Sequence, residues 1–188
     1  MPSLLWYFRA CANKVCVAKL GFMERARLLL RYRLVLGFFI VGLVVSGLTA
    51  FPLQHELDWL TSLLGLKDRT IITAPEGLDR WLVTVRDGLR DTNLKYPWLA
   101  YGTDWLAFAH LVLAVFFIGP FFKPERNVWV LWAGLIACGL VLPLALICGP
   151  LRGIPFGWRL IDCSFGIFGA LPLIYCLRLT KLMEKTAR

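Results

Sequence analysis

Four apolar runs, each long enough to cross a bilayer, constrain this chain more than any other feature. A hydrocarbon core about 30 Å thick needs roughly 20 helical residues. The first run, LVLGFFIVGLVVSGLTAFPL, covers 34–53; the others cover 98–122, 128–149 and 158–179. In lipid the backbone has no water to bond, so spans of this length must satisfy themselves as helices. The predicted fold is an all-α integral membrane protein, one domain with four transmembrane helices. Composition agrees. Of 188 residues, 59% are hydrophobic and only 18% charged, whereas a soluble domain is near half apolar and a quarter charged. The basic stretch before the first run is too long for a secretion signal, so that run is read as a retained span.

The basic residues set the predicted orientation. Segments 1–33, 123–127 and 178–188 hold thirteen of the 21 Lys and Arg, with only Glu24, Glu125 and Glu184 as acids. Segments 54–99 and 150–159 hold the other eight, against seven acids. The positive-inside rule then places both termini in the cytoplasm, in a plasma or inner membrane. Segment 54–97 is extracytoplasmic, and 180–188 is a basic cytoplasmic tail. The net charge of +9 sits beside the spans, where it meets lipid head groups. No nucleic-acid partner is expected.

Outside the spans the pattern is still helical. In the basic segment 1–33, Leu4, Phe8, Cys11 and Val15 share one face and Arg9 and Lys14 lie off it. This predicts an amphipathic helix on the cytoplasmic surface. Between spans 1 and 2, residues 55–66 and 74–91 predict two surface helices. Thr73 and Glu76 have capping-box spacing, with Pro75 in the first turn. Leu78, Trp81, Leu82, Val85 and Leu89 recur as one apolar face, which assigns Asp79, Arg80, Arg86, Asp87 and Arg90 to the other faces.

The candidate site comes from charge inside the spans. At 1.5 Å per residue, Asp104 lies ~9 Å and His110 ~18 Å below Trp98, and Asp162 lies ~6 Å below Trp158. Arg159 is one turn above Asp162, and Arg152 lies in the short outer connection. Intramembrane charge is expensive and faces protein or water. Asp104, His110, Arg152, Arg159 and Asp162 are therefore the predicted ligand-binding candidates, facing outward. The structural alternative is an Asp162–Arg159 pair at i, i+3 spacing. For His110 the simplest expectation is an interhelical hydrogen bond. A haem on His110 would want a second axial donor, and the only other histidine is His55, outside the first span. No cofactor, metal or catalytic residue is expected.

Small residues predict close helix packing: Gly42 with Ser46, Gly37, Gly47, Gly134, Gly139, Gly166 and Gly169. Pro143 and Pro172 predict kinks. Cys138, Cys148, Cys163 and Cys176 are read as packing residues in apolar runs. There is no P-loop, HExxH, GxSxG or dinucleotide fingerprint. The sequence therefore leans against an enzyme and toward a non-catalytic subunit or scaffold of a membrane complex, or a self-associating protein. The alternatives are a lipid- or small-molecule-binding protein using the outer polar cluster, and a small oligomeric transporter.

Overall fold

The computed structural model describes the backbone over residues 4–186 and the side chains over 23–186. Helix α1 runs Leu4–Ala50, 47 residues in one piece, about 70 Å long. The backbone of the basic N-terminal segment thus continues straight into the first span, with no break at 33. The face carrying Leu4, Phe8, Cys11 and Val15 lies outside the described side chains. Pro52, which has no amide to donate, closes α1. Helices α2 (Leu53–Leu63) and α3 (Leu78–Lys95) follow. A turn at Pro97–Ala100 leads into α4 (Tyr101–Phe116) and α5 (Ile118–Phe122). Helix α6 covers Val128–Pro143, and a π-helical turn, Leu144–Cys148, joins it to the single turn α7 (Gly149–Leu151). Helix α8 covers Phe156–Thr186.

Four segments are long and apolar enough to cross a membrane: Met23–Ala50, Pro97–Phe122, Val128–Leu151 and Phe156–Thr186. No strand occurs among the described residues. The chain is an all-helical protein with four candidate membrane spans. Helix α1 packs along α4 and α8, and α6 packs along α8. The buried core lies in the half of the bundle nearest the termini. Tyr32 and Leu36 of α1 meet Val130 and Leu131 of α6, and Leu173, Cys176 and Leu177 of α8. The ring of Phe117 closes on Phe39, centroids 4.9 Å apart. Toward the other end α1 stays against α4, and a groove opens between α1, the end of α6 and α8.

Glycines decide where helices touch. A Cβ on Gly166 would lie 2.5 Å from the Cys138 carbonyl oxygen, so α6 and α8 meet backbone to backbone there. Gly47 is similar against Ala107, at 2.9 Å, where α1 meets α4. Gly42 and Gly139 have nothing within 4 Å. The expected packing step at Gly42 and Ser46 is therefore not a helix contact.

The α2–α3 hairpin departs from expectation in two ways. The Thr73–Glu76 capping box does not form. Gly77, at φ 94°, precedes α3, and this left-handed backbone prevents a helix from starting at residue 74. Thr73 Oγ1 instead accepts from the Thr70 amide (2.9 Å), and Glu76 pairs with Arg80. Second, Arg86 is not on a solvated face but only 5% exposed. Its Nη1 donates to the carbonyls of Leu66 (3.0 Å) and Lys67 (3.1 Å), and its Nη2 to Arg69 (2.8 Å). Asp87 balances its charge, accepting from Nε at 2.8 Å. The loop after α2 is thus hung on one guanidinium. Leu82 and Val83 are buried beside it, and Leu78 reaches the start of α8, 3.5 Å from a Cβ on Gly157.

Candidate functional site

At the end away from the termini, a groove of about 720 Å³ opens between α1, the end of α6 and α8. One wall is α1 (Phe38, Gly42, Ser46). Another is the π-helical turn (Leu144, Cys148), and the third is α8 (Asp162, Phe165, Phe168). His110 of α4 and Arg152 of the α7–α8 connection complete the lining. The volume falls in the range of small-molecule and lipid pockets, about 300–1,000 Å³. The rings of Phe38, 79% exposed, and of Phe165 and Phe168, both 69%, edge the groove. It therefore opens sideways onto the surface a membrane would cover.

Local chemistry explains its shape. Pro143 ends α6, and the next residues widen into a π turn, a geometry concentrated at functional sites. That turn carries Cys148 to the groove, exposed and free, while Cys163 is buried in α8. Gly42 presents no side chain, so the wall of α1 is recessed. Pro172 lies inside α8 at the groove's lower end.

The five sequence candidates divide. His110, Arg152 and Asp162 line the groove; Asp104 and Arg159 do not. Asp104 is half-buried in the first turn of α4. Arg159 lays its stem on Gly149, whose missing Cβ would otherwise sit 2.6 Å from Arg159 Cδ. Its guanidinium stacks over Phe156, 5.2 Å from the ring centroid. The expected Asp162–Arg159 pair is therefore not made, and no aspartate pairs with Arg152 or Arg159 among the described residues. Gly149 offers Arg159 a slot that leads away from Asp162.

The interhelical bond expected of His110 is also replaced. Its Nδ1 lies 2.8 Å from the carbonyl oxygen of Leu106, one turn back in its own helix. A carbonyl can only accept, so Nδ1 is the donor. Polar groups therefore descend one end of the groove. Counting from the far ends of α8 and α4, Asp162 lies about 9 Å and His110 about 14 Å down, with Phe168 about 18 Å and Pro172 about 24 Å down. Arg152 stands at the mouth. Sequence reasoning missed Ser46, Cys148 and the three phenylalanines, which look like ordinary span residues; only Pro143 signalled that α6 would be distorted here. Among the described residues no three His, Cys, Asp or Glu side chains converge as a metal site would require.

Comparison with protein-family models, with characterised proteins and with solved structures finds no match.

Proposed function

We propose that this polytopic membrane protein binds an amphiphile, a phospholipid or a molecule built like one, in the groove between α1, α6 and α8. The observation that carries this is the gradient along the groove. A cation, a carboxylate and an imidazole occupy its outer part, and aromatic rings line its inner part and its open side. A lipid entering from the membrane plane would keep its tail against Phe38, Phe165 and Phe168. Its head would lie between Arg152 and Asp162, which hold opposite charges without pairing with each other. With both termini in the cytoplasm, as the charge asymmetry favours, the ligand comes from the outer leaflet. The packed core of Tyr32, Leu131 and Leu173 closes the groove toward the termini, which favours binding over conduction.

A second reading, a subunit docked to another membrane protein, draws support from the α2–α3 hairpin. Ile72 is 89% exposed, and Trp59, Leu63 and Leu94 of the same hairpin are exposed too. These residues lie outside the spans, so an apolar surface there calls for either the membrane interface or a docked protein.

Cys148 offers a native reporter for the first reading. In detergent, addition of phosphatidylethanolamine micelles should slow alkylation of Cys148 severalfold, while half-buried Cys138 serves as reference in the same digest. The double substitution Arg152→Gln, Asp162→Asn should weaken that protection at least tenfold, because one hydrogen bond to a charged group contributes about 1.5–3 kcal/mol. Unchanged thermal stability of the variant would assign the loss to binding. Equal Cys148 rates with and without the lipid would rule the groove out as its site.

A further inference from the structure

At the opposite end of the molecule, near the termini, a second pocket of about 580 Å³ lies between α1, the α5–α6 connection and the end of α8. Its rim carries Arg25, Lys123 and Arg126; Leu29 and the exposed ring of Phe122 form an apolar wall, and buried Met183 lies at the floor. Glu125 is the one acid in the lining, and it is spent on Arg25, 2.8 Å away. The connection is held in shape by Asn127, whose Nδ2 donates to the carbonyls of Gly119 (3.1 Å) and Lys123 (3.0 Å). Its carboxamide is turned toward those carbonyls, and Asn127 gives α6 no side-chain cap. The positive end of that 16-residue helix therefore adds to the local field. Outside the pocket lining, Arg33 donates to the Phe121 carbonyl at 3.4 Å and stands over its ring, tying the end of α5 to α1.

We propose that this pocket holds the phosphate of an anionic phospholipid from the leaflet facing the termini. Lys123 and Arg126 supply the charge, and Leu29 and Phe122 take the first methylenes of the acyl chains. The apolar floor favours a lipid over a free phosphate compound, which would leave that floor wet. The rim carries a net charge of two positive units once Arg25 and Glu125 cancel, so a net-negative head is favoured over a zwitterionic one. This site is independent of the groove, shares no lining residue with it, and stands or falls separately.

The test is native mass spectrometry of the full chain released from nanodiscs made with equal phosphatidylglycerol and phosphatidylcholine. A juxtamembrane cation contributes roughly a fivefold preference for anionic lipid, so two give about thirtyfold. Wild type should retain phosphatidylglycerol by about that margin. Lys123→Gln with Arg126→Gln should bring the two lipids close to parity. Both residues are exposed, so the variant should melt as wild type does. Glu125→Gln, which frees Arg25, should raise the preference. Equal retention by wild type, or a preference that survives the double substitution, overturns the proposal. Release of the lipid by millimolar inorganic phosphate overturns the lipid assignment, since phosphate alone would then suffice.

Discussion

Arg86→Ala should detach the loop after α2 and loosen the whole α2–α3 hairpin, lowering its stability by about 3–5 kcal/mol, the usual loss when one member of a buried charged network is removed. Three carbonyls, of Leu66, Lys67 and Arg69, lose their donor together. Asp87 loses its cation in the same step. Water can reach some of these groups, but Leu66 is only 5% exposed, so its carbonyl is poorly rescued. Arg86→Lys should recover only part, because an ammonium cannot fork across three carbonyls as a guanidinium does. Hydrogen exchange resolves the effect by region. Amides of residues 61–74 should lose protection while those in α6 and α8 keep theirs. Unchanged protection across 61–74 would mean the loop is held by something other than Arg86.

Gly166→Ala should have the next largest effect, and on the spans themselves. A methyl group at 166 would stand 2.5 Å from the Cys138 carbonyl oxygen. Backbone cannot swing aside as a side chain can, so α6 and α8 must part by roughly 1 Å. Overpacking of this kind costs about 1–3 kcal/mol, less up to about 1 kcal/mol returned by alanine's better helix propensity. Gly139→Ala is the control. It lies in α6, the other helix of the pair, next to Cys138 but with nothing within 4 Å, so it should be neutral or mildly stabilising. Unfolding of both variants in mixed micelles would compare them directly. Equal effects at 166 and 139 would contradict the close approach.

The contrast between these two glycines shows what the sequence could and could not reveal. Run length and backbone chemistry made the four spans legible, because any chain in lipid must close its own hydrogen bonds. Spacing along each helix was legible too, since rise per residue is fixed. Rotation about the helix axis was not. Asp104 and Arg159 sit at suitable depths and still miss the groove, while His110 and Asp162 line it. Which way a side chain faces depends on neighbours far away in the chain, as Gly149 does for Arg159. The same limit hid Arg86, whose polar neighbours Asp79, Asp87 and Arg90 resemble a solvated face. Its acceptors lie 17 to 20 positions earlier and are backbone atoms, which carry no sequence signature. The capping box failed for a local reason: Gly77 imposed a left-handed backbone between the box and the helix.

The open groove also explains why the packed core lies to one side. Leu36, Leu131 and Leu173 meet at one level, and beyond them Gly42, the π turn and Pro172 keep the spans from closing. An empty apolar slot in a membrane would be filled by lipid. On the proposed function, Arg152 at the mouth and Asp162 below it would select which lipid fills the slot.

Electron cryomicroscopy of the full chain in nanodiscs drawn from its native membrane measures this most directly. The account predicts an elongated density along Phe38, Phe165 and Phe168, with its polar end between Arg152 and Asp162. A groove occupied by a side chain or helix of another protein, or holding water alone, would contradict it.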